Sequence, residues 1–210
     1  MKIRKIALFI VPFILSGCSF DFFGLFKKQN DEKKETNKED NAKYTSVKLL
    51  DKLTEDTIPF GSQLDQESGY NAMMTYWDSK EQGLVTSCDI YKVGVPRLDT
   101  GYAYLTVGTS SYEGEITFHF SKEISKLDIS IAGWYKYNST DQVYNIDEAK
   151  ADVTFAGSTT TFNCQDRDDQ ADVVTKTLKG SSPSNSLKIE SKTVNGKMRA
   201  VVRSLTVYYK

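Results

Sequence analysis

The chain has 210 residues, 39% of them hydrophobic, and 27 Lys and Arg stand against 28 Asp and Glu, leaving a net charge of −1. That balance gives no electrostatic reason to expect nucleic-acid binding, which draws on a clustered positive surface. With one histidine and three cysteines, any metal or thiol chemistry has very few residues to use.

The chain opens on Lys2, Arg4 and Lys5, followed by an apolar run from Ile6 to Leu15 interrupted only by Pro12, then Ser16-Gly17-Cys18. A charged start, a short apolar stretch and small residues before a cleavage point are the parts of a secretory signal. Ten apolar residues are too few for a spanning helix, which needs about 20. Leu15-Ser16-Gly17-Cys18 resembles the lipobox of bacterial lipoprotein signal peptides. The resemblance implies that residues 1–17 are removed and that Cys18, diacylated, becomes the first residue of an extracytoplasmic protein exposed at the surface and held to the cell membrane. Loss of residues 1–17 leaves 24 basic residues against 28 acidic ones, a net charge of about −4. Retention at the membrane then rests on acyl chains, each buried CH₂ contributing roughly 0.8 kcal/mol.

Phe20, Phe22, Phe23, Leu25 and Phe26 follow and suit contact with the headgroup region. Between Lys27 and Lys43, 11 of 17 residues are charged and Ala42 is the only apolar one. Such a segment cannot bury enough surface to offset its ordering entropy. Residues 18–43 are therefore expected to form a lipid-anchored, disordered tether, its charged part reaching at most about 58 Å.

A folded domain is expected over residues 44–210, ample for one core and short for two. Strand formers and recurrent turn residues give it an all-β pattern. Ile116, Phe118 and Phe120 alternate with polar residues, as do Leu127, Ile129 and Ile131, with Ser121-Lys122-Glu123 read as a turn between two strands. Leu187 and Ile189 continue the pattern, and the last run puts Val201, Leu205, Val207 and Tyr209 on one face, interrupted by Arg203. Weaker strands are expected at Tyr102–Val107, Val143–Ile146, Asp152–Ala156, Thr159–Asn163 and Val173–Leu178. Gly157-Ser158 and Gly180–Ser184 read as connections, and Asn195-Gly196 as a type I′ hairpin turn. No helix is expected beyond a short turn at Val47–Leu53. Half-buried strands need a second sheet over their apolar face, so the expected fold is an antiparallel β-sandwich.

The run Tyr104–Ser111, Gly114–Phe118 and Ile124–Leu127, with the closing strand Val202–Tyr209, resembles the galactose-binding-like, jelly-roll β-sandwich modules of Gram-positive secreted proteins. The resemblance covers about Tyr70 to Lys210. It implies a fold and carries no functional residue with it.

Candidate chemistry is sparse. Cys88 and Cys164 could form a disulfide in an oxidising compartment or remain two buried thiols. His119 would have to serve any Ser-His-Asp or Cys-His device, but mid-strand it reads as a surface residue. A zinc site would need it to converge with Cys88 and Cys164, which lack close ligand spacing. No cofactor is otherwise expected. Asp166-Arg167-Asp168-Asp169-Gln170-Ala171-Asp172 suggests a structural calcium loop, although Ala171 and Thr177 break the EF-hand pattern and a solvated loop reads better. The aromatic residues are the best ligand candidates: Trp77, Trp134, Tyr135 and Tyr137 can stack on sugar rings, with Asn138 hydrogen-bonding hydroxyls. The leading expectation is non-catalytic glycan binding at the cell envelope. Protein–protein adhesion, a structural envelope role and a carboxylate-based glycan hydrolase are the alternatives.

Overall fold

The structure is a computed structural model that describes residues 44–99, 101–165 and 171–210. In chain order the elements are β1 (Thr45–Leu50), β2 (Ser62–Gln63), α1 (Glu67–Lys80), β3 (Val85–Tyr91), β4 (Val93–Val95), β5 (Arg97–Asp99), β6 (Tyr102–Ala103) and β7 (Leu105–Val107). They continue with β8 (Glu115–Ala132), β9 (Tyr135–Asn138), β10 (Val143–Ile146), β11 (Ala149–Phe155), β12 (Ser158–Cys164), β13 (Val173–Lys192) and β14 (Ala200–Tyr209). The expected signal peptide, Cys18 and the tether lie outside the described residues.

Every pairing is antiparallel, and two long strands tie two layers together. The first half of β8 lies between β3 and the second half of β13, which continues through β11 to β12. The second half of β8 lies between the first half of β13 and β14, which pairs onward with β1 and with β7, then β4 and β2. The inward residues of both layers meet in one cluster that includes Phe118, Ile129, Val153, Ile189 and Leu205. This is the antiparallel β-sandwich that the alternation calls for.

The corners differ from expectation. Ser121-Lys122-Glu123 stays inside β8, and Gly180–Ser184 stays inside β13. A tight hairpin reversal needs positive φ, and no residue of 121–123 or 180–184 has it. The strands instead bend across from one layer to the other, a recognised way of making a sandwich corner. In β13 the ladder breaks between Lys179 and Ser184, which leaves Pro183 where no partner needs its missing N–H. Where the sequence does supply positive φ, true hairpin turns form: Ala156 and Gly157 join β11 to β12, and Asn195 and Gly196 close the bridge between Val194 and Lys197.

Two further differences concern faces. A register shift between Val202 and Ser204 flips β14, so that Val202, Leu205, Val207 and Tyr209 face the main core. Val201 faces the opposite side, with Leu98 and Tyr104. Val47–Leu53 holds β1 rather than a helical turn, whereas α1 is a 14-residue helix that the strand-like composition hid. Its buried residues, Gly69, Met73, Tyr76 and Trp77, follow a helical spacing. Gly69 belongs on that face because any Cβ there would collide with the Gln63 carbonyl. Glu67 in the first turn and Lys80 in the last suit the helix dipole. Among the described residues no helix is long and apolar enough to cross a membrane.

The helix settles Trp77. It is 1% exposed and meets Phe118 edge-on with ring centroids 5.1 Å apart, so it is a core residue and not a ligand platform. The disulfide is not formed either: Cys88 and Cys164 are both free and buried. Cys88 lies on β3 and Cys164 on β12, at opposite edges of one layer with β8, β13 and β11 between them. Four interstrand steps of roughly 4.8 Å separate them by about 19 Å, far beyond the roughly 4.4–6.8 Å between Cα atoms of a disulfide.

Candidate functional site

The outer face of the second layer carries a row of residues in register across four strands. Gln63 of β2 is opposite Gly94 of β4, Gly94 is opposite Thr106 of β7, and Thr106 is opposite Val201 of β14. Leu105 and Val107 face the main core, so alternation turns Thr106 to the other side. Gly94 leaves a gap in the row, since a Cβ there would stand 3.0 Å from the Gln63 amide nitrogen. Above this gap opens a cleft of about 210 Å³, lined by Gln63, Gly94, Pro96, Thr106, Gly108, Thr109, Ser110, Trp134 and Arg199.

One wall is aromatic and cationic. Gly133 allows the chain after β8 to pass against the Asp147 carbonyl, where a larger residue would collide. Trp134 follows, half-buried against Leu98, Tyr104 and Val201, with the Arg199 guanidinium 3.9 Å from its ring centroid. Arg199 Nη2 donates to Asp147 Oδ2 at 2.9 Å, and Lys197 Nζ pairs with Asp147 Oδ1 at 2.8 Å. Asp147 is buried, and both its oxygens are held by cations.

Gly108, Thr109 and Ser110 supply another part of the lining, from a 108–114 loop that is pinned at both ends. Gly108 has φ +89° and passes so close to the Met198 carbonyl that no Cβ fits. At the far end the buried Ser191 hydroxyl accepts from the Gly114 N–H at 2.8 Å. Thr193 donates its hydroxyl and its N–H to Glu113, which holds that carboxyl below the usual range. Thr109 Oγ1 accepts from the N–H groups of Ser111 and Tyr112 inside the loop. The floor is Thr106, 3% exposed, whose hydroxyl has no hydrogen-bond partner among the described residues.

The other expected site residues divide. Tyr135 and Tyr137 project from β9 to flank Tyr144 of β10, at centroid distances of 5.2 and 5.1 Å, and Tyr137 and Tyr144 stay exposed. Asn138 is committed elsewhere. Its amide donates to Asp141 at 2.7 Å and its oxygen accepts from the Thr140 N–H at 3.0 Å, so it holds the β9–β10 turn and is not available to a ligand. Gln63, Thr106, Thr109, Ser110 and Arg199 were not foreseen. The glycine and serine cluster at 108–111 is a local signal for Thr109 and Ser110, and nothing local marks Gln63, Thr106 or Arg199.

His119 points outward from β8, its Nε2 2.8 Å from Asp89 Oδ2, with Ser87 and Ser186 opposite it on the two neighbouring strands. Among the described residues no hydrogen bond joins either serine hydroxyl to the imidazole, so no activated nucleophile is assembled there. Cys88 faces the core from the same layer and does not meet His119 at a common site. Among the described residues no three His, Cys, Asp or Glu groups converge on one point that could hold a metal ion. Asp166–Gln170, the heart of the expected calcium loop, lies outside them.

A second hollow of about 330 Å³ lies between the start of β1 and the end of α1. Lys48 there pairs with Asp51 and Glu81 with Lys122, and the Lys80 ammonium lies 4.7 Å from the Tyr76 ring centroid.

No family model matches the chain, and no curated protein matches it. Among solved structures it is similar to the family 29 carbohydrate-binding module CBM29_1 from Piromyces equi, with 8% identity over 80% of this chain and 92% of that one, at a TM-score of 0.40. Another family 29 carbohydrate-binding module shares 11% identity over 79% and 88% of the two chains, at 0.36. Carbohydrate-binding module CBM36, in complex with calcium and xylotriose, shares 14% identity over 57% and 92%, at 0.32.

Proposed function

We propose that this chain is a surface-exposed bacterial lipoprotein whose β-sandwich binds glycan, without catalysis, in the cleft above Thr106. One observation carries the binding reading: Trp134 and the uncharged polar residues Gln63, Thr106, Thr109 and Ser110 line a single small cleft. A sugar ring presents an apolar face and a rim of hydroxyls, which needs this mixture of one aromatic surface and several short hydrogen-bonding groups. At about 210 Å³ the cleft is below the roughly 300–1,000 Å³ of drug-sized sites and suits one ring, with the rest of a chain outside. Tyr135, Tyr137 and Tyr144 on the adjoining hairpin offer a further aromatic surface for such a chain. Hydrolysis by paired carboxylates receives no support, because two acids must flank the bond and Asp147 is bound by two cations.

Anchoring follows from Cys18: the acylated cysteine holds the protein at the membrane, and residues 18–43 let the domain reach outward. Two measurements test the proposal. On a glycan array the full chain in detergent gives specific signals, and Trp134→Ala weakens them at least tenfold; silence across the array sinks the glycan reading, and an unchanged signal in the variant removes the cleft from it. In a bacterial host, labelled palmitate enters the wild-type chain but not Cys18→Ala; label in both would end the lipobox assignment.

A further inference from the structure

We propose that the glycan taken by the cleft is acidic, a carboxylate-bearing sugar whose acid group pairs with Arg199 while a ring hydroxyl meets the buried hydroxyl of Thr106. This rests on the glycan reading of the same cleft and names its ligand class.

The cations at the wall are under-matched. Lys197 and Arg199 share one carboxylate, Asp147, whose two oxygens they occupy, while the neighbouring Glu148 is held by the Asn195 amide and makes no ion pair with either among the described residues. Arg199 is also the only charged side chain lining the cleft among the described residues. A guanidinium offers five N–H donors in a fork that matches a carboxylate, and Asp147 engages it at Nη2. Stacking on Trp134 and the bond to Asp147 fix its orientation, so little freedom remains to be lost when a ligand arrives.

Thr106 supplies an independent observation. It is 3% exposed, its side chain is turned to the cleft side of β7, and its buried hydroxyl has no partner among the described residues. Burying a hydroxyl with its hydrogen bond unmade costs free energy, and valine has the same shape without that cost. A threonine at the floor is therefore explained if a ligand atom completes it. A cationic–aromatic arrangement recurs close in the chain to two lining residues. Lys92 is two residues from Gly94 and Tyr112 two from Ser110, and the Lys92 ammonium lies 5.7 and 5.8 Å from the Tyr91 and Tyr112 rings. Those rings are 51% and 57% exposed, and the only ion pair of Lys92 among the described residues, with Asp65, spans 4.0 Å.

The test compares the full chain in detergent on uronic-acid- and sialic-acid-bearing oligosaccharides, the same sugars with the carboxyl reduced to an alcohol, and sulfated sugars. The expected result is binding to at least one carboxylated sugar, weakened at least tenfold by carboxyl reduction. Arg199→Gln should erase the difference between acid and reduced forms. Thr106→Val should weaken both forms at least fivefold while its melting temperature equals or exceeds that of the wild type. A merely structural Thr106 would not give that pairing. Equal binding of acid and reduced sugars overturns the inference and leaves the glycan reading standing. Binding to sulfated sugars alone overturns the carboxylate assignment, and no binding to any sugar overturns both.

Discussion

Phe118 on β8 and Thr106 on β7 are both almost completely hidden from water, yet only one of them has all its contacts made. Phe118 lies inside the sandwich against Trp77 and parallel to Phe120, whose ring centroid is 6.1 Å away. Thr106 lies on the other side of its layer, beside a glycine gap and below an open cleft, with its hydroxyl unpartnered among the described residues. The first environment is closed and apolar and contributes stability. The second is open and polar: Trp77 Nε1 in the core is also unpartnered among the described residues, but only the Thr106 hydroxyl belongs to a residue that lines a cleft a ligand can enter.

The sharpest way to break this contrast is to empty the closed side. Phe118→Ala removes a fully buried ring and its contacts with Trp77, and should destabilise the domain by about 3–5 kcal/mol in urea unfolding. A loss below about 1 kcal/mol would mean that the inner face is not the stabilising one.

Alkaline pH attacks the same side through its titratable groups. Burial pushes the Cys88 thiol from 9.0 to about 12, with Asp89 adding to the effect, and burial likewise raises Cys164 from 9.0 to about 11. Burial also lifts the Tyr76 phenol from 10.0 to about 12, helped by Asp51. Each group loses its proton in the unfolded chain before it does so in the folded one. The unfolded state therefore binds fewer protons above about pH 9, and stability falls as pH rises from there to about 12. The fall should be on the order of a few kcal/mol, since each tenfold difference in proton affinity between the folded and unfolded chain is worth about 1.4 kcal/mol. At neutral pH both thiols should resist a thiol reagent until denaturant is added. Rapid native labelling of two thiols would contradict their burial.

The two regions also differ in how far they can be read from the chain. Alternation at Ile116, Phe118 and Phe120, at Leu127, Ile129 and Ile131, and at Leu187 and Ile189 points to the inner faces correctly, because burial on one side of a strand leaves a period of two. It fails at Val201, where a bulge switches faces between Val202 and Ser204 and nothing local marks it. It also fails at the corners, since whether Ser121–Glu123 turns or bends depends on the second layer and not on those three residues. The helix was legible in the spacing of Gly69, Met73, Tyr76 and Trp77, but only if glycine is counted as a buried position. For the cleft, Trp134 was visible as an aromatic next to polar residues. Its floor was not, because Gln63, Gly94, Thr106 and Val201 come from four separate segments and meet only through sheet register.

The gentlest probe acts on the open side, at the acid that holds Arg199. Asp147→Asn keeps the shape of the side chain and one carbonyl acceptor, but removes the charge that Lys197 and Arg199 share. One of the two cations loses its hydrogen bond, and their mutual repulsion is no longer offset. The expected loss is about 1.5 kcal/mol, smaller than at Phe118 because Arg199 and Lys197 retain access to water. In a chain of this size that lowers the melting temperature by about 3–6 °C. Binding should move the other way, since the wall becomes one charge more positive and one of its two cations is released. Affinity for a carboxylated glycan should hold or rise, with a steeper dependence on salt. A variant that loses stability and more than about tenfold in affinity together would make Asp147 a positioning residue for Arg199, and would show that the cleft, like the core, works only when all of its contacts are made.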